Sequence, residues 1–221
     1  MFNIEFVFRI FIILQKNVVV MNLIILDDYS KKNVLLESSL INIATLGPAG
    51  TSSEHAAKSF INNFFPSVHT KGSIHLMSTF EECVSQVLES NIMYAIVPHA
   101  YEGIKNFYMH PDLELIQLFR CDTPMYGLAV RPDFHFQAEA LDSHIVVSHP
   151  APISLLKYYI GKDAIFKKVD STSIAAELVR EKVYDFAITN EIAREKNQLK
   201  FAFQFKNIPM SWSVFGRREI K

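Results

Sequence analysis

The sequence predicts an α/β protein built as two α/β lobes with a cleft between them. From residue 41 onward, short apolar runs alternate with amphipathic segments, the pattern of strands and helices taken in turn. That alternation runs through two series, the second starting at Ile145. Clusters of hydroxyl side chains stand at three strand-to-helix junctions, where a small ligand held between lobes would be met.

The first series opens with a strand over 41–46 and a helix over 54–64, followed by a short strand at 74–77. The clearest helix spans 79–90. Thr79 and Glu82 have the spacing of a capping box, and Phe80, Cys83, Val84, Val87 and Leu88 fall on one face. A buried strand over 93–97 (MYAIV) ends at Pro98, and strands at 115–121 and 125–130 are split by Asp122-Thr123-Pro124. The second series has a strand over 145–148, a helix reaching Tyr159, a strand near 165–169 and a helix over 173–180. A strand over 186–189, a helix over 190–196 and strands near 201–205 and 212–215 complete it. The last strands are expected to return to the first lobe. One lobe is then about 41–122 plus 204–216, and the other about 123–203.

Composition narrows the function. The 221 residues are 49% hydrophobic and 20% charged, enough for an ordinary core. Lys and Arg number 22 against 23 Asp and Glu, without a basic stripe, so nucleic acid is not an expected partner. An anionic ligand would have to find local partners, namely helix N-termini and one or two arginines. Cys83 and Cys121 form no CxxC pair and read as reduced core cysteines of a cytoplasmic protein, with no metal site. The apolar stretch MFNIEFVFRIFIILQKNVVV is interrupted by Glu5, Arg9 and Lys16, short of the ~20 apolar residues a bilayer requires. It also lacks the basic start and cleavage site of a signal peptide. Residues 1–20, and the stretch to 40 with them, are read as an extension outside the fold. No membrane partner is expected, and self-association into a homo-oligomer stays open.

The first junction reads TLGPAGTSSEH, from Thr45 to His55. Gly47, Gly50 and Ser53 do not supply G-x-G-x-x-G, and Thr51 stands where a P-loop needs Lys. Two readings remain: an anion nest of backbone N–H groups with Thr51, Ser52 and Ser53 as added donors, or plain helix caps. Ser148-His149-Pro150 and Ser171-Thr172-Ser173 repeat the arrangement. Together they favour a ligand with more than one acidic group.

Gly47-Pro48-x-Gly50-Thr51-x-Ser53, then Ser148-His149-Pro150, then Ser171-Thr172-Ser173 with Ala175-Ala176, resemble the prephenate dehydratases in order and spacing. The resemblance covers roughly residues 41–216. It implies a fold like type II periplasmic binding proteins, with prephenate in the cleft. Two departures stand out. Where that family typically has Pro-x-Glu-Asn-Ser, this chain has Pro98-His99-Ala100-Tyr101-Glu102-Gly103. Where the family has Thr-Arg-Phe, with a threonine held to be catalytic, this chain has Met210-Ser211-Trp212. Dehydration expels the ring 4-hydroxyl, a poor leaving group unless an acid protonates it, and Met210 cannot. Ser211 would take the threonine's place only after a one-residue slip.

These departures, with the runs from Val97 to Phe134 and from Ile208 to Gly216, are similar to the decarboxylating branch of the family, which serves bacilysin and anticapsin biosynthesis. That similarity implies a non-aromatising decarboxylation of prephenate to a dihydro-4-hydroxyphenylpyruvate. No cofactor is expected, because the ring diene can accept the electron pair. Substrate contacts are expected at Thr51, Ser52, Ser53, Ser148, His149, Ser171, Thr172 and Ser173. Arg120 and Arg131 are candidate cations, each with a structural alternative. Met210, Ser211 and Trp212 are placed around the pocket, with core packing as the alternative for Trp212. His99 is the first choice for the acid, with Tyr101 and Glu102 as rivals. A phenylalanine-binding ACT domain is not expected after Gly216. The alternatives are a true dehydratase and a non-catalytic small-anion-binding lobe.

Overall fold

Two five-stranded mixed sheets organise the chain in a computed structural model that describes residues 40–65, 71–89 and 91–218. The N-terminal extension read from the sequence lies outside the described residues. The first sheet has the order β2 (Lys71–Met77), β1 (Leu40–Leu46), β3 (Tyr94–Pro98), β10 (Ser211–Arg217), β4 (Leu113–Arg120). The second has β7 (Ile165–Lys168), β6 (Ile145–Ser148), β8 (Phe186–Asn190), β5 (Tyr126–Val130), β9 (Lys200–Gln204). In each sheet the fourth strand runs antiparallel to both neighbours.

Strand periodicity divides the core of the first sheet between its two faces. Ile41, Ile43, Ile96, Trp212 and Val214 pack under α1 (Ser52–Phe64) with Phe60. Ala44, Ala95, Val97 and Phe215 turn the other way, toward α2 (Phe80–Leu88) and Phe107 of α3 (Ile104–Tyr108). Burial on both faces explains why MYAIV reads as a continuous apolar run. The second sheet repeats the scheme. Leu128, Val146, Phe186 and Ile188 pack with Leu156 of α4 (Ile153–Ile160). Ala129, Val147 and Ala187 meet Ala175, Ala176 and Val179 of α5 (Thr172–Arg180) and Ala193 of α6 (Glu191–Lys196).

The chain crosses between the sheets twice, at 121–125 and 205–210, and the two crossings lie side by side. Cys121 N–H donates to Met210 O at 3.0 Å, Thr123 N–H to Ile208 O at 2.9 Å and Tyr126 N–H to Lys206 O at 3.0 Å. Phe205 N–H donates back to Tyr126 O at 2.8 Å. The Thr123 hydroxyl accepts from Ile208 N–H at 2.9 Å, so the two chain crossings between the sheets among the described residues form a short ladder of their own.

The helix over 79–90 shortens to Phe80–Leu88, with Thr79 as its cap, accepting from Glu82 N–H at 3.0 Å. Glu82 completes the box one residue early, accepting from Ser78 N–H rather than from the cap. Two elements have no counterpart in the sequence reading: α3 and a 3-10 turn at Ala138–Asp142. Both are a single short turn, too brief for apolar periodicity to register. Cys83 and Cys121 are free and buried, and burial pushes the Cys83 thiol up to about 12. Among the described residues no helix is long and apolar enough to cross a membrane.

Trp212 departs from its expected place on the pocket wall. It is 1% exposed, stacks on Phe119 with ring centroids 6.5 Å apart, and donates from Nε1 to Cys121 O at 2.9 Å. Strand alternation sends it into the core under α1. Replacing it with alanine empties that core and orphans the Cys121 carbonyl. Trp212→Ala is therefore expected to cost about 3–5 kcal/mol, measured as a fall in the denaturant midpoint followed by circular dichroism.

Candidate functional site

Most of the residues singled out from the sequence lie at the edges of the two sheets that meet at the lobe junction. In the first sheet that edge is formed by the ends of β1, β3 and β4 and the start of β10, since Trp212 pairs with Pro98 and Ser211 with Arg120. In the second it is formed by the ends of β6 and β8 and the start of β5, where Tyr126 pairs with Asn190. Neighbouring strands lie about 4.8 Å apart, so the β1 loop, His99, Ser211 and Arg120 succeed one another along a row roughly 15 Å long.

The β1 loop is tied down by its own helix. Thr51 caps α1, accepting from Glu54 N–H at 3.2 Å, while its hydroxyl donates to Leu46 O at 2.9 Å. The cap reading therefore holds for Thr51. Gly50 takes φ +95°, a conformation that favours glycine, and its N–H donates to Glu54 Oε2 at 2.6 Å. That loop amide thus faces the protein's own carboxylate. The amides of Ser52 and Ser53 lie in the first turn, where a helix offers no internal acceptor. Burial raises the Glu54 pKa, but hydrogen bonds from Lys58 and Gly50 outweigh it, and the carboxyl sits below its ordinary value.

Across the junction, the second lobe meets this loop directly. Asn190 Nδ2 donates to Gly50 O at 2.9 Å while its Oδ1 caps α6 at Ala193 N–H. The Tyr126 hydroxyl lies 3.1 Å from Ser52 Oγ and also bonds Thr172, and burial pushes its phenol upward. Ser171 caps α5 by accepting from Ile174 N–H at 3.1 Å. Ser173 is 6% exposed and, among the described residues, its hydroxyl has no hydrogen-bond partner. It comes within 3.4 Å of where a Cβ on Gly50 would stand, so two of the predicted clusters pack together. The third is adjacent to them in the sheet. Ser148, fully buried, donates to its neighbour's carbonyl, while His149 Nδ1 accepts from Ala151 N–H at 3.2 Å and so leaves its proton on Nε2. Burial lowers the His149 pKa against the pull of Asp170.

His99 stands one strand away, on the face opposite α1. Its Nδ1 lies 2.7 Å from Ser211 Oγ and its Nε2 lies 2.6 Å from Ser213 Oγ. Partial burial draws the ring's pKa below its ordinary value of about 6.5, which favours the neutral form near pH 7. Among the described residues, its hydrogen bonds all stay within the first lobe.

Three expectations do not survive the geometry. Tyr101 is no free acid: its hydroxyl donates to Glu81, its ring packs on Phe80 and Phe107, and the Glu81 bond above all pushes its pKa up to about 12. Arg131 lies past the remote end of β5, about 16 Å along the strand from Tyr126. There it pairs with Asp185 at 2.7 Å and donates to Tyr184 O at 3.1 Å. Trp212 is core. Arg120 keeps its place at the edge, half-exposed, opposite Ser211 and paired with Asp122 at 3.1 Å. Glu102 is exposed beside α3, and Met210 packs partly on the first core. Tyr126, Asn190 and Ser213 were missed. Asn190 had a legible signal, an Asn between a strand and a helix. Tyr126 and Ser213 had none.

No protein-family model matches the chain. A prephenate decarboxylase of Bacillus subtilis (strain 168) is 56% identical over 202 residues, 90% of this chain and 98% of that protein. A prephenate decarboxylase of Planktothrix agardhii (strain NIVA-CYA 126/8) is 38% identical over 181 residues, 80% of this chain and 88% of that one. Among solved structures, an Arthrobacter aurescens prephenate dehydratase in complex with L-Phe matches with a TM-score of 0.66 at 14% identity, over 81% of this chain and 61% of that chain. The periplasmic VFT2 domain of Bordetella pertussis BvgS matches at 0.50 and 14% identity, over 85% of each. At such identities the structural likeness establishes the fold, which is the two-lobed one expected.

The β1 loop gives a test of its own. Because Glu54 titrates below its unfolded value, its contribution to stability is present above about pH 4.3 and is lost as pH falls through the folded pKa. Glu54→Gln is expected to lower stability by about 1 kcal/mol at pH 7, a deficit that closes as the solution is acidified below the carboxylate range. Denaturant titrations of both proteins at pH 7 and pH 3 measure it. An equal deficit at both pH values would mean that the charge on Glu54 is not what holds the turn.

Proposed function

The chain belongs to the prephenate decarboxylase family, and from that membership we propose that it removes the ring carboxylate of prephenate as CO2 without aromatising the ring. The observation that carries the proposal is the 56% identity across 98% of the Bacillus subtilis enzyme. The site chemistry agrees with it. As the bond from the ring to its carboxylate breaks, the electron pair moves through one ring alkene and the distal carbon takes a proton. One C–C bond is lost, one C–H bond is gained, and the 4-hydroxyl stays. The diene is the electron sink, so the reaction as proposed asks the protein for binding, orientation and one acid, and for no cofactor.

Aromatisation is the competing outcome, and it requires a proton at the 4-hydroxyl. Met210 offers none, and its thioether contributes an apolar wall where hydroxide would have to leave. We assign the pyruvyl carboxylate to the junction of the two lobes. Ser173 supplies an unpartnered hydroxyl there, the first turns of α1 and α5 supply amides, and His149 supplies Nε2–H. Arg120, at the end of β4, is the candidate cation on the first-lobe side. His99 is the proposed acid, with exposed Glu102 as its remaining rival.

The lobe limits of about 41–122 plus 204–216 and about 123–203, and an extension over 1–40, remain our reading of the domain organisation, adjusted by one residue at two points where Leu40 already opens β1 and Gln204 still closes β9. It is supported by the two crossings and by β10 joining the first sheet. We further propose that the enzyme works in the cytoplasm, consistent with two free buried cysteines, and supplies a bacilysin/anticapsin-type antibiotic pathway.

Incubation with prephenate near neutral pH, with product identification, tests the reaction. CO2 and a dihydro product that keeps its hydroxyl are expected. Phenylpyruvate would make the chain a dehydratase, and unchanged prephenate would make it a binding protein. His99→Gln is expected to lower kcat by roughly 10²–10⁴ with KM preserved, and near-normal turnover would remove His99 as the acid.

A further inference from the structure

Decarboxylation consumes one proton per turnover, and the neutral imidazole of His99 is a weak acid by itself. If Nδ1 gave up its proton alone, the ring would be left as an imidazolate. The groups around the ring answer this difficulty. Ser213 Oγ, 2.6 Å from His99 Nε2, lies equally 2.6 Å from the Tyr108 hydroxyl. Ser213 is fully buried, whereas Tyr108 is 41% exposed. Tyr108 Oη also lies 3.3 Å from Nε2, so the three groups form a tight triangle. On the other side, Nδ1 meets Ser211 Oγ, an exposed hydroxyl at the start of β10. The chain Tyr108–Ser213–His99–Ser211 therefore runs from solvent, through a buried hydroxyl and an imidazole, to the edge where the substrate is placed.

We propose that Tyr108 and Ser213 are a proton relay that feeds His99 during the decarboxylation; this rests on the assignment of His99 as the acid. With Tyr108 donating to Ser213 and Ser213 to Nε2, the ring carries its proton on Nδ1, directed at Ser211. When the Ser211 hydroxyl gives its proton to the ring carbon of the substrate, Nδ1 passes its own to Ser211 and Ser213 hands its proton to Nε2. Tyr108 replaces the one on Ser213, and water replaces the one on Tyr108. The imidazole stays neutral throughout, one proton enters from solvent, and one new C–H bond appears in the product. After product leaves, Nδ1 takes a proton from solvent while the chain runs back, and the starting arrangement returns.

Every link of this chain is fixed by the fold rather than by chance contact. Ser211 and Ser213 are two residues apart on β10 and so share the face that His99 presents at the end of β3. Tyr108 is set by its edge-on packing against Phe215, with ring centroids 5.1 Å apart, and by the buried anchor Phe107 beside it. α3 therefore has a reason to exist at this point: it carries the entry of the relay.

Tyr108→Phe removes one surface hydroxyl and keeps the ring packing, and Ser213→Ala removes the buried link. In both, kcat for prephenate decarboxylation is expected to fall at least about tenfold at unchanged KM. Turnover should then rise with the concentration of a small buffer acid such as imidazole at fixed pH, whereas the parent enzyme is insensitive to it. Should Ser213→Ala fail to fold, Tyr108→Phe carries the test alone. Two results overturn the relay while sparing the acid: kcat within twofold of the parent although His99→Gln is crippled, or a lower kcat with no response to buffer, which would mean that the two residues only position the ring. Full turnover by His99→Gln would instead remove the acid, and the relay with it.

Discussion

The whole site hangs on β10. This strand arrives from the second lobe and inserts between β3 and β4, antiparallel to both, so both of its edges are hydrogen-bonded along most of its length. A strand committed on both sides cannot slide without breaking two ladders at once. Its arrival forces the second crossing of the chain, and that crossing is laced to the first through Thr123, Ile208 and Met210. The relation between the lobes, the burial of Trp212 and the neighbourhood of His99 all follow from one strand's position.

The donors at the lobe junction divide into two groups by what already satisfies them. Thr51, Ser171 and Asn190 are caps, and Ser148 turns its hydroxyl to the adjacent carbonyl. They shape helix starts, and little of their hydrogen-bonding capacity is left for a ligand. Ser173 is different, being buried and unpartnered beside Gly50. A buried hydroxyl without a partner is costly, on the order of 1–3 kcal/mol, and a carboxylate oxygen arriving there would recover that cost. In the proposed reading, helix starts would frame the anion site and the unsatisfied hydroxyl of Ser173 would mark its centre.

Most strands and helices were legible because their cores are two-sided. Apolar runs such as YAIV and FAIT on buried strands, and one-faced helices such as 79–90, leave periodic traces. What stayed illegible was tertiary. Nothing near Ser213 or Tyr108 in the sequence announces that they meet, because the contact joins residues 105 positions apart. Motif position leaves Trp212 between pocket and core, and strand parity decides for the core side. Arg131 looked like Arg120, an arginine closing an apolar strand, yet the strands run in opposite senses relative to the cleft. One end of β4 is at the site, whereas the corresponding end of β5 is remote from it. Tyr101 sits in the right segment, but its hydroxyl is claimed by Glu81, a partner twenty residues away.

Strand parity also bears on which reaction the site can perform. Met210 and Trp212 pack toward the core under α1, while Ser211 and Ser213 face His99. The ladder with β4 fixes this alternation, Ser211 opposite Arg120 and Ser213 opposite Leu118. Bringing Ser211 into the position of Met210 would require a one-residue slip, and such a slip carries every side chain of the strand to the opposite face. Trp212 would then leave the core and both serines would leave His99, at a cost far above any gain from one hydroxyl. The hydroxyls that β10 itself offers at its start are thereby confined to one face, and Met210 stands on the other. In the proposed reaction, a substrate lying across that edge would meet acid on one side and apolar wall on the other. That is the asymmetry a decarboxylation needs if the ring is to gain a proton at carbon and keep its hydroxyl.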